Sequence, residues 1–290
     1  MSDFDYQQKV WGGSEIRLKP THLAYLALKY CLESLKGIKG RVLDVGCGGG
    51  GFARAIKHYR PDLEVYGVDI SKRAIGYAKC HPTVRGARFD KLTVTSAVRR
   101  RRLCRRRVGG LPFPVKFKVG DVYKLPFKKN FFDGVLAIDI LEHLEKPRLA
   151  LKEVNRVLKK DGVLQAHVPL EGELWALHFW LSRMGWRQKE KLTGHTQYFT
   201  WRRLKKLLVD SGFKIVKKRH SVHFFEQMVD VFYFVFLSLT GKRIKTGLED
   251  YLRDKKFLNF GKSVIARIQN LESQVFWFLP GAGVHVKAQK

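Results

Sequence analysis

The stretch VLDVGCGGGG, residues 42–51, places an acid just ahead of five glycines in six positions. A glycine-rich turn between a strand and a helix lets a ligand approach the backbone. The helix behind it offers N–H groups and the positive end of a dipole. Two ligand classes use such a turn. Gly46, Gly48 and Gly51 fit the G-x-G-x-x-G spacing of a dinucleotide site. Asp44, Gly46, Gly48 and Gly50 fit equally the acid-x-G-x-G-x-G spacing of an S-adenosylmethionine site. The glycines do not separate the two, but Asp44 favours the second. A carboxylate repels a pyrophosphate and attracts an ammonium or sulfonium at short range. Asp69, 25 residues further on, suits the ribose hydroxyls of either ligand.

Regular elements must hold these residues in place. Residues 20–35 read as a helix, with Leu23, Leu26, Ala27, Tyr30 and Cys31 at helical spacing. Residues 41–45, 64–68, 115–119, 134–138, 163–168 and 213–217 read as strands, and 284–288 as a last one. Residues 52–59, 72–79, 147–158 and 201–210 read as helices, with Ser71 and Thr200 as N-caps. Strand and helix alternate from 41 to 217. The expected fold is α/β: a doubly wound, Rossmann-like, mostly parallel sheet of seven strands with helical, aromatic-rich cap insertions. It divides into an N-terminal helical segment (1–40), a core (41–217), and a C-terminal cap insertion with the last strand (218–290).

Further stretches follow the glycine loop in order: VYGVDIS, GDVYKLPF, FFDGVLAIDILEHL, LKEVNRVLKKDGVL and HTQYFTWRRLKKLLVDSGF. Over most of residues 40–217 the chain resembles the class I S-adenosylmethionine-dependent methyltransferases, in particular the type 11-like branch acting on small molecules and lipids. The resemblance implies S-adenosylmethionine as cofactor and a role for each matched position. Asp44, Gly46, Cys47, Gly48 and Gly50 would hold its methionine end. Asp69 would hold the ribose, with Ile70 also in the cofactor site, Asp121 and Val122 would flank the adenine, and Asp139 would face the reacting groups.

Methyl transfer from a sulfonium is an in-line displacement with an activated leaving group, so the protein mainly aligns the reactants and excludes water. A hydroxyl acceptor also needs a general base. Asp139, His143 and His195 are the catalytic candidates. Glu142 reads as a helix anchor, and His167 as a core histidine on an apolar strand face. The segment IDIL after the fourth strand lacks the prolines of base-amino methyltransferases and the Pro-Cys of pyrimidine C5 enzymes. The four cysteines form no C-x-x-C pair, and no metal is expected.

Three insertions interrupt the alternation. Residues 169–199 carry LWALHFWLSRMGW, and residues 218–283 carry MVDVFYFVFLSL between basic flanks. Both leave strand C-termini, the ligand edge of this fold class, and are expected to cover an apolar acceptor site. The apolar run is too short to span a bilayer. It suits either a buried cap helix or a segment dipping into a headgroup layer. The third insertion, 80–114, contains RRRRLCRRR and enters a strand N-terminus. It is therefore expected away from the crevice, where its arginines suit RNA or anionic lipid.

The net charge of +30 favours anionic partners without bearing on fold. The N-terminal residues lack a signal-peptide pattern, so the chain is expected to be cytoplasmic, or peripheral at an anionic membrane surface. The expected function is methyl transfer to a small hydrophobic or lipid-linked acceptor. The alternatives are an RNA methyltransferase and a non-catalytic protein that binds nucleic acid or membrane.

Overall fold

The computed structural model describes residues 16–80, 115–240 and 256–290, together with Val10. The arginine-rich segment lies outside the described residues. Seven strands form one sheet: β1 (Arg41–Val45), β2 (Glu64–Asp69), β3 (Lys116–Val119), β4 (Phe132–Ile138), β5 (Leu158–Pro169), β6 (Lys214–Ser221) and β7 (Gly283–Gln289). Their order is β3-β2-β1-β4-β5-β7-β6. The strands from β3 to β5 run parallel, while β7 lies antiparallel between β5 and β6. This is the expected doubly wound class.

The central strands are apolar on both faces because helices cover both. In β4, Val135 and Ala137 join a core with Leu43, Leu164 and Ala166. That core is closed by Leu151 and Val154 of α4 (Pro147–Val157) and by Leu204 and Leu208 of α7 (Trp201–Asp210). Leu136 and Ile138 join the opposite core, with Leu28, Cys31 and Leu35 at α1 (Tyr25–Ser34) and Ala53 and Ile56 of α2 (Gly51–Tyr59). The alternation along one strand places neighbouring residues in different cores.

Local signals act as the sequence predicts. Ser71 Oγ accepts from Ala74 N at 3.2 Å to start α3 (Lys72–Cys80). Thr200 Oγ1 accepts from Arg203 N at 3.2 Å to start α7. Two expectations shift. The first helix begins at Tyr25, not near residue 20, because a string of turns occupies residues 18–24. β5 begins at Leu158, directly after α4, and Leu158 pairs with Phe132 before the register shifts.

Pro169 pairs with Gly283, which also pairs with Ser221, so three chain crossings meet at one edge. Both cap insertions leave from there. The first folds into α5 (Leu177–Arg183) and α6 (Gln188–Thr193). The second holds α8 (Phe224–Thr240) and α9 (Lys256–Val275). α8 buries Phe234 but leaves Phe224, Phe232 and Phe236 exposed, so it is not enclosed on all sides. Among the described residues, no helix is long and apolar enough to cross a membrane.

β7 is the last element of the chain yet an interior strand. Truncation after Ala282 should therefore leave β5 and β6 without the strand that joins them and abolish cooperative unfolding, as read by a thermal circular-dichroism scan. A truncated chain that melts as sharply as the full one would contradict this topology.

Candidate functional site

The C-terminal ends of β1, β2 and β4 converge on the glycine loop. Gly46, Gly48 and Gly50 all have positive φ, at 67°, 51° and 81°. That backbone favours glycine, and at Gly46 a Cβ would also run into Ile140. The loop is pinned by its own polar groups. Cys47 N donates to Val68 O at 3.0 Å, and Gly50 N donates to Cys47 O at 2.8 Å. The Cys47 side chain is buried against Gly67 of β2, so only its backbone lines the loop.

Two carboxylates take up further loop and helix donors. Asp69 accepts from Gly48 N through one oxygen and from Ser71 N through the other, each at 2.8 Å. Asp44, buried beneath the loop, accepts from Ala53 N in the first turn of α2 at 3.1 Å. Arg54 turns its guanidinium to Gly49 O at 2.7 Å. A phosphate cradle needs unspent N–H groups; here Gly48 and Ala53 have given theirs to acids. The donor set thus fits a cationic ligand and not a pyrophosphate. Burial pushes the Asp44 carboxyl up to about 7, with Asp69 adding to the rise and the Ala53 bond opposing it.

Gly120 N donates to Asp69 O at 3.0 Å, which brings residues 120–122 beside the end of β2. Asp121 is exposed, and its Oδ1 accepts from Tyr123 N at 2.9 Å in a tight turn. Val122 packs on the core edge, while Ile70 is 53% exposed next to Asp69. The arrangement is an acid flanked by apolar surface.

Asp139 ends β4 with φ +50°, an uncommon conformation for a non-glycine residue and one enriched among Asp and Asn. Its N–H donates to His167 O at 3.2 Å, and its Oδ1 lies 2.5 Å from His167 Nδ1. His167 stacks on His285 with ring centroids 4.2 Å apart. The reading of His167 as a plain core histidine is therefore corrected: it is the ion partner of Asp139. Burial disfavours the His167 charge, while the Asp139 side chain is about half exposed, and their mutual attraction outweighs the burial. The His167 imidazole is raised and the Asp139 carboxyl lowered, with His143 and His195 helping to lower it. A β-strand's alternation predicts which face a side chain takes, but not a partner on a neighbouring strand.

His143 and His195 also come together, with rings edge to face at 4.9 Å. Backbone bonds from Thr196 N and Gln197 N to Glu142 O hold the two segments in register. Burial, with His195 beside it, pushes His143 down to about 4, so it is neutral near pH 7. His195 Nδ1 lies 2.9 Å from Glu171 Oε2. Glu171 pairs through its other oxygen with Lys189 at 2.9 Å, and Lys189 reaches Asp230, which holds His178 at 3.1 Å. Burial opposes the Glu171 charge, but Lys189 and His195 hold it well below the usual carboxylate range. Glu171, Lys189 and Asp230 sit in the cap insertions, where the sequence offered only scattered charges in aromatic surroundings.

Beyond Glu171 lies a cavity of about 510 Å³ between α8, α9 and the end of β5. Its walls include Pro169, Ala176, Val229, Tyr233 and Ile265, with Glu226 and Lys189 among its polar groups. Burial pushes Glu226 up to about 7.

Residues 43–166 match a family described as a methyltransferase domain. A sterol 24-C-methyltransferase of Gibberella zeae is 32% identical over 55% of this chain and 34% of its own length. A ubiquinone biosynthesis O-methyltransferase of Actinobacillus pleuropneumoniae is 26% identical over 57% of this chain and 61% of its own. The chain thus spans from about a third to three-fifths of these curated relatives. Among solved structures, the cyclase SpnF aligns with a TM-score of 0.54 at 19% identity, covering 99% of this chain and 87% of that one. That likeness shows the fold alone.

The buried Asp44 carboxyl makes stability depend on pH. The native state keeps the Asp44 proton between its ordinary 3.8 and about 7, where the unfolded chain has lost it. Native stability therefore falls as pH rises through that window. Asp44→Asn removes this share, so the variant should gain on wild type as pH rises from about 5 to about 8, measured by urea unfolding. An identical difference at both pH values would contradict the burial argument.

Proposed function

We propose, on the premise that residues 43–166 are a class I S-adenosylmethionine-dependent methyltransferase domain, that this protein transfers a methyl group to a small hydrophobic or lipid-linked acceptor. The observation that carries the reading is the occupation of the Gly48 and Ala53 N–H groups by Asp69 and Asp44. It leaves the loop suited to a positively charged ligand.

In this reading the loop backbone and Asp44 hold the methionine end, Asp69 the ribose, and Ile70, Asp121 and Val122 the adenine. When bound, S-adenosylmethionine supplies an electrophilic methyl on a neutral leaving group. The protein's own residues then sort by protonation state. Asp139 and His167 already share an ion pair, so neither is an unengaged base. His195 is different: Glu171 orients it through Nδ1, which leaves Nε2 as the atom to take a proton from an acceptor hydroxyl.

Support for a lipid-like acceptor comes from the apolar wall of the cavity beside Glu171, and from the sterol and ubiquinone named in relatives. Phe276, Trp277, Phe278 and Leu279, all exposed, lie between α9 and β7 at the same edge. With the positive net charge, they suit contact with an anionic membrane surface.

Calorimetry should show S-adenosylmethionine binding weakened by about tenfold or more in Asp69→Ala, since a charge-assisted hydrogen bond contributes about 1.5–3 kcal/mol. Binding to wild type should tighten as pH rises through about 7, because a cation favours the ionised Asp44, and Asp44→Asn should lose that dependence. Unchanged affinity in both variants would refute the cofactor assignment. Incubating lipid and RNA extracts with enzyme and deuterated-methyl cofactor should label a lipid fraction by mass spectrometry. Label confined to RNA would overturn the acceptor class.

A further inference from the structure

The short 3-10 turn Leu141–His143 after β4 carries Glu142, one of the most deeply buried acids of the described residues, at 1% exposure. Neither of its carboxyl oxygens has a hydrogen-bond partner. A buried polar group left unsatisfied costs about 1–3 kcal/mol, more if charged, so a chain that keeps one there invites an explanation. The turn's backbone needs no acid: its bonds to residues 196 and 197 use only the Glu142 carbonyl.

The surroundings supply a candidate. Glu142, His143 and His195 each offer a ligand atom, and these atoms all lie within 4.8 Å of one another. His143 Nε2 stands 4.0 Å from Glu142 Oε1. Metal-bound imidazoles usually engage their other ring nitrogen with a carboxylate or carbonyl. Both histidines here have that arrangement: His195 Nδ1 is 2.9 Å from Glu171 Oε2, and His143 Nδ1 is 3.4 Å from Gly194 O. Glu171 is in turn held by Lys189 at 2.9 Å.

We propose that Glu142, His143 and His195 form a binding site for a divalent transition-metal ion of the zinc class, with Glu171 as the positioning residue behind His195. Two imidazoles and one carboxylate suit zinc, cobalt or iron better than calcium or magnesium, which prefer all-oxygen shells. The unsatisfied oxygens of Glu142 are the feature that a bound cation explains and a folding role does not. The absence of paired cysteines does not bear on this ligand set, whose members come from two segments about 50 residues apart, at 142–143 and 195.

The test uses the full chain, stripped by chelator and titrated with Co²⁺, whose visible absorption reports ligation. One equivalent per chain should bind, and Zn²⁺ should displace it. Glu142→Gln and His195→Gln should each weaken binding by about 10-fold to 100-fold or more, and Glu171→Gln by about 10-fold. His178→Gln, at the far end of the charge chain, should bind as wild type. Glu142→Gln keeps the side-chain volume, and its thermal melt verifies the fold. Should it melt early, His143→Gln replaces it, as His143 is more exposed. Absence of stoichiometric Co²⁺ or Zn²⁺ binding, or binding unaffected in folded variants, would overturn the proposal and leave Glu142 a neutral buried acid. The readout needs no methyl transfer, so it stands or falls separately from the proposed activity; a metal on His195 Nε2 takes that atom out of the proton-accepting role given above, which then belongs to the metal-free protein.

Discussion

Two acids hold the glycine loop by its own N–H groups, and the sign of the ligand follows from that. Gly48 donates to Asp69, and Ala53 to Asp44. Each such bond involves an acid and contributes about 1.5–3 kcal/mol when charged. Seating a pyrophosphate would bring its charge against two carboxylates. A sulfonium or ammonium meets no such repulsion. The rest of the loop serves this arrangement: positive φ at the three glycines turns the backbone tightly enough for Gly48 to face Asp69, and the Cys47–Val68 bond ties the loop to β2. The same twist of chain that resembles a dinucleotide loop in spacing therefore differs from one in the two acids that stand against it.

The cap insertions extend the argument from cofactor to acceptor. Glu171 follows the end of β5 and joins two environments. One oxygen holds His195 at the crevice, and the other holds Lys189 against the cavity. Lys189 continues to Asp230 on α8, and Asp230 to His178 on α5. Buried charges of this kind rarely gain stability over apolar packing, but removing one partner costs about 3–5 kcal/mol. The chain of charges thus couples the placement of His195 to the docking of both caps on the sheet.

Most of the fold was legible because its signals are local. Strand β1 and helix α7 fall on the expected residues, and Ser71 and Thr200 cap the expected helices. Spacing alone located Asp44, Asp69 and the glycines. The sequence also named Asp139, His143 and His195, and the structure gathers them at one edge, although Asp139 engages His167. What was not legible depends on contacts between distant segments. His167 looked like a core residue because a strand's period says which face it takes and nothing of the neighbouring strand. Glu142 looked like an anchor because helix-anchoring acids are common, and its isolation appears only once the loop at 195–197 is packed over it. Lys189 and Asp230 carry no motif at all.

The two histidine environments at the crevice have opposite consequences, and this bears on what the fold can catalyse. His167 is paired with a carboxylate that is itself at the reacting edge, so the pair shifts its imidazole toward the charged form. His143 is driven toward the neutral form by burial and by His195 beside it. A crevice that drives one imidazole toward the charged form and another toward the neutral form separates the tasks of orienting a ligand and accepting a proton. Fold alone does not supply that separation: a cyclase shares the architecture. The separation comes from Asp139, which pairs with His167, and from the burial of His143 beside His195. The reading of this protein as an enzyme acting on an acceptor hydroxyl rests on those side chains more than on the sheet that carries them.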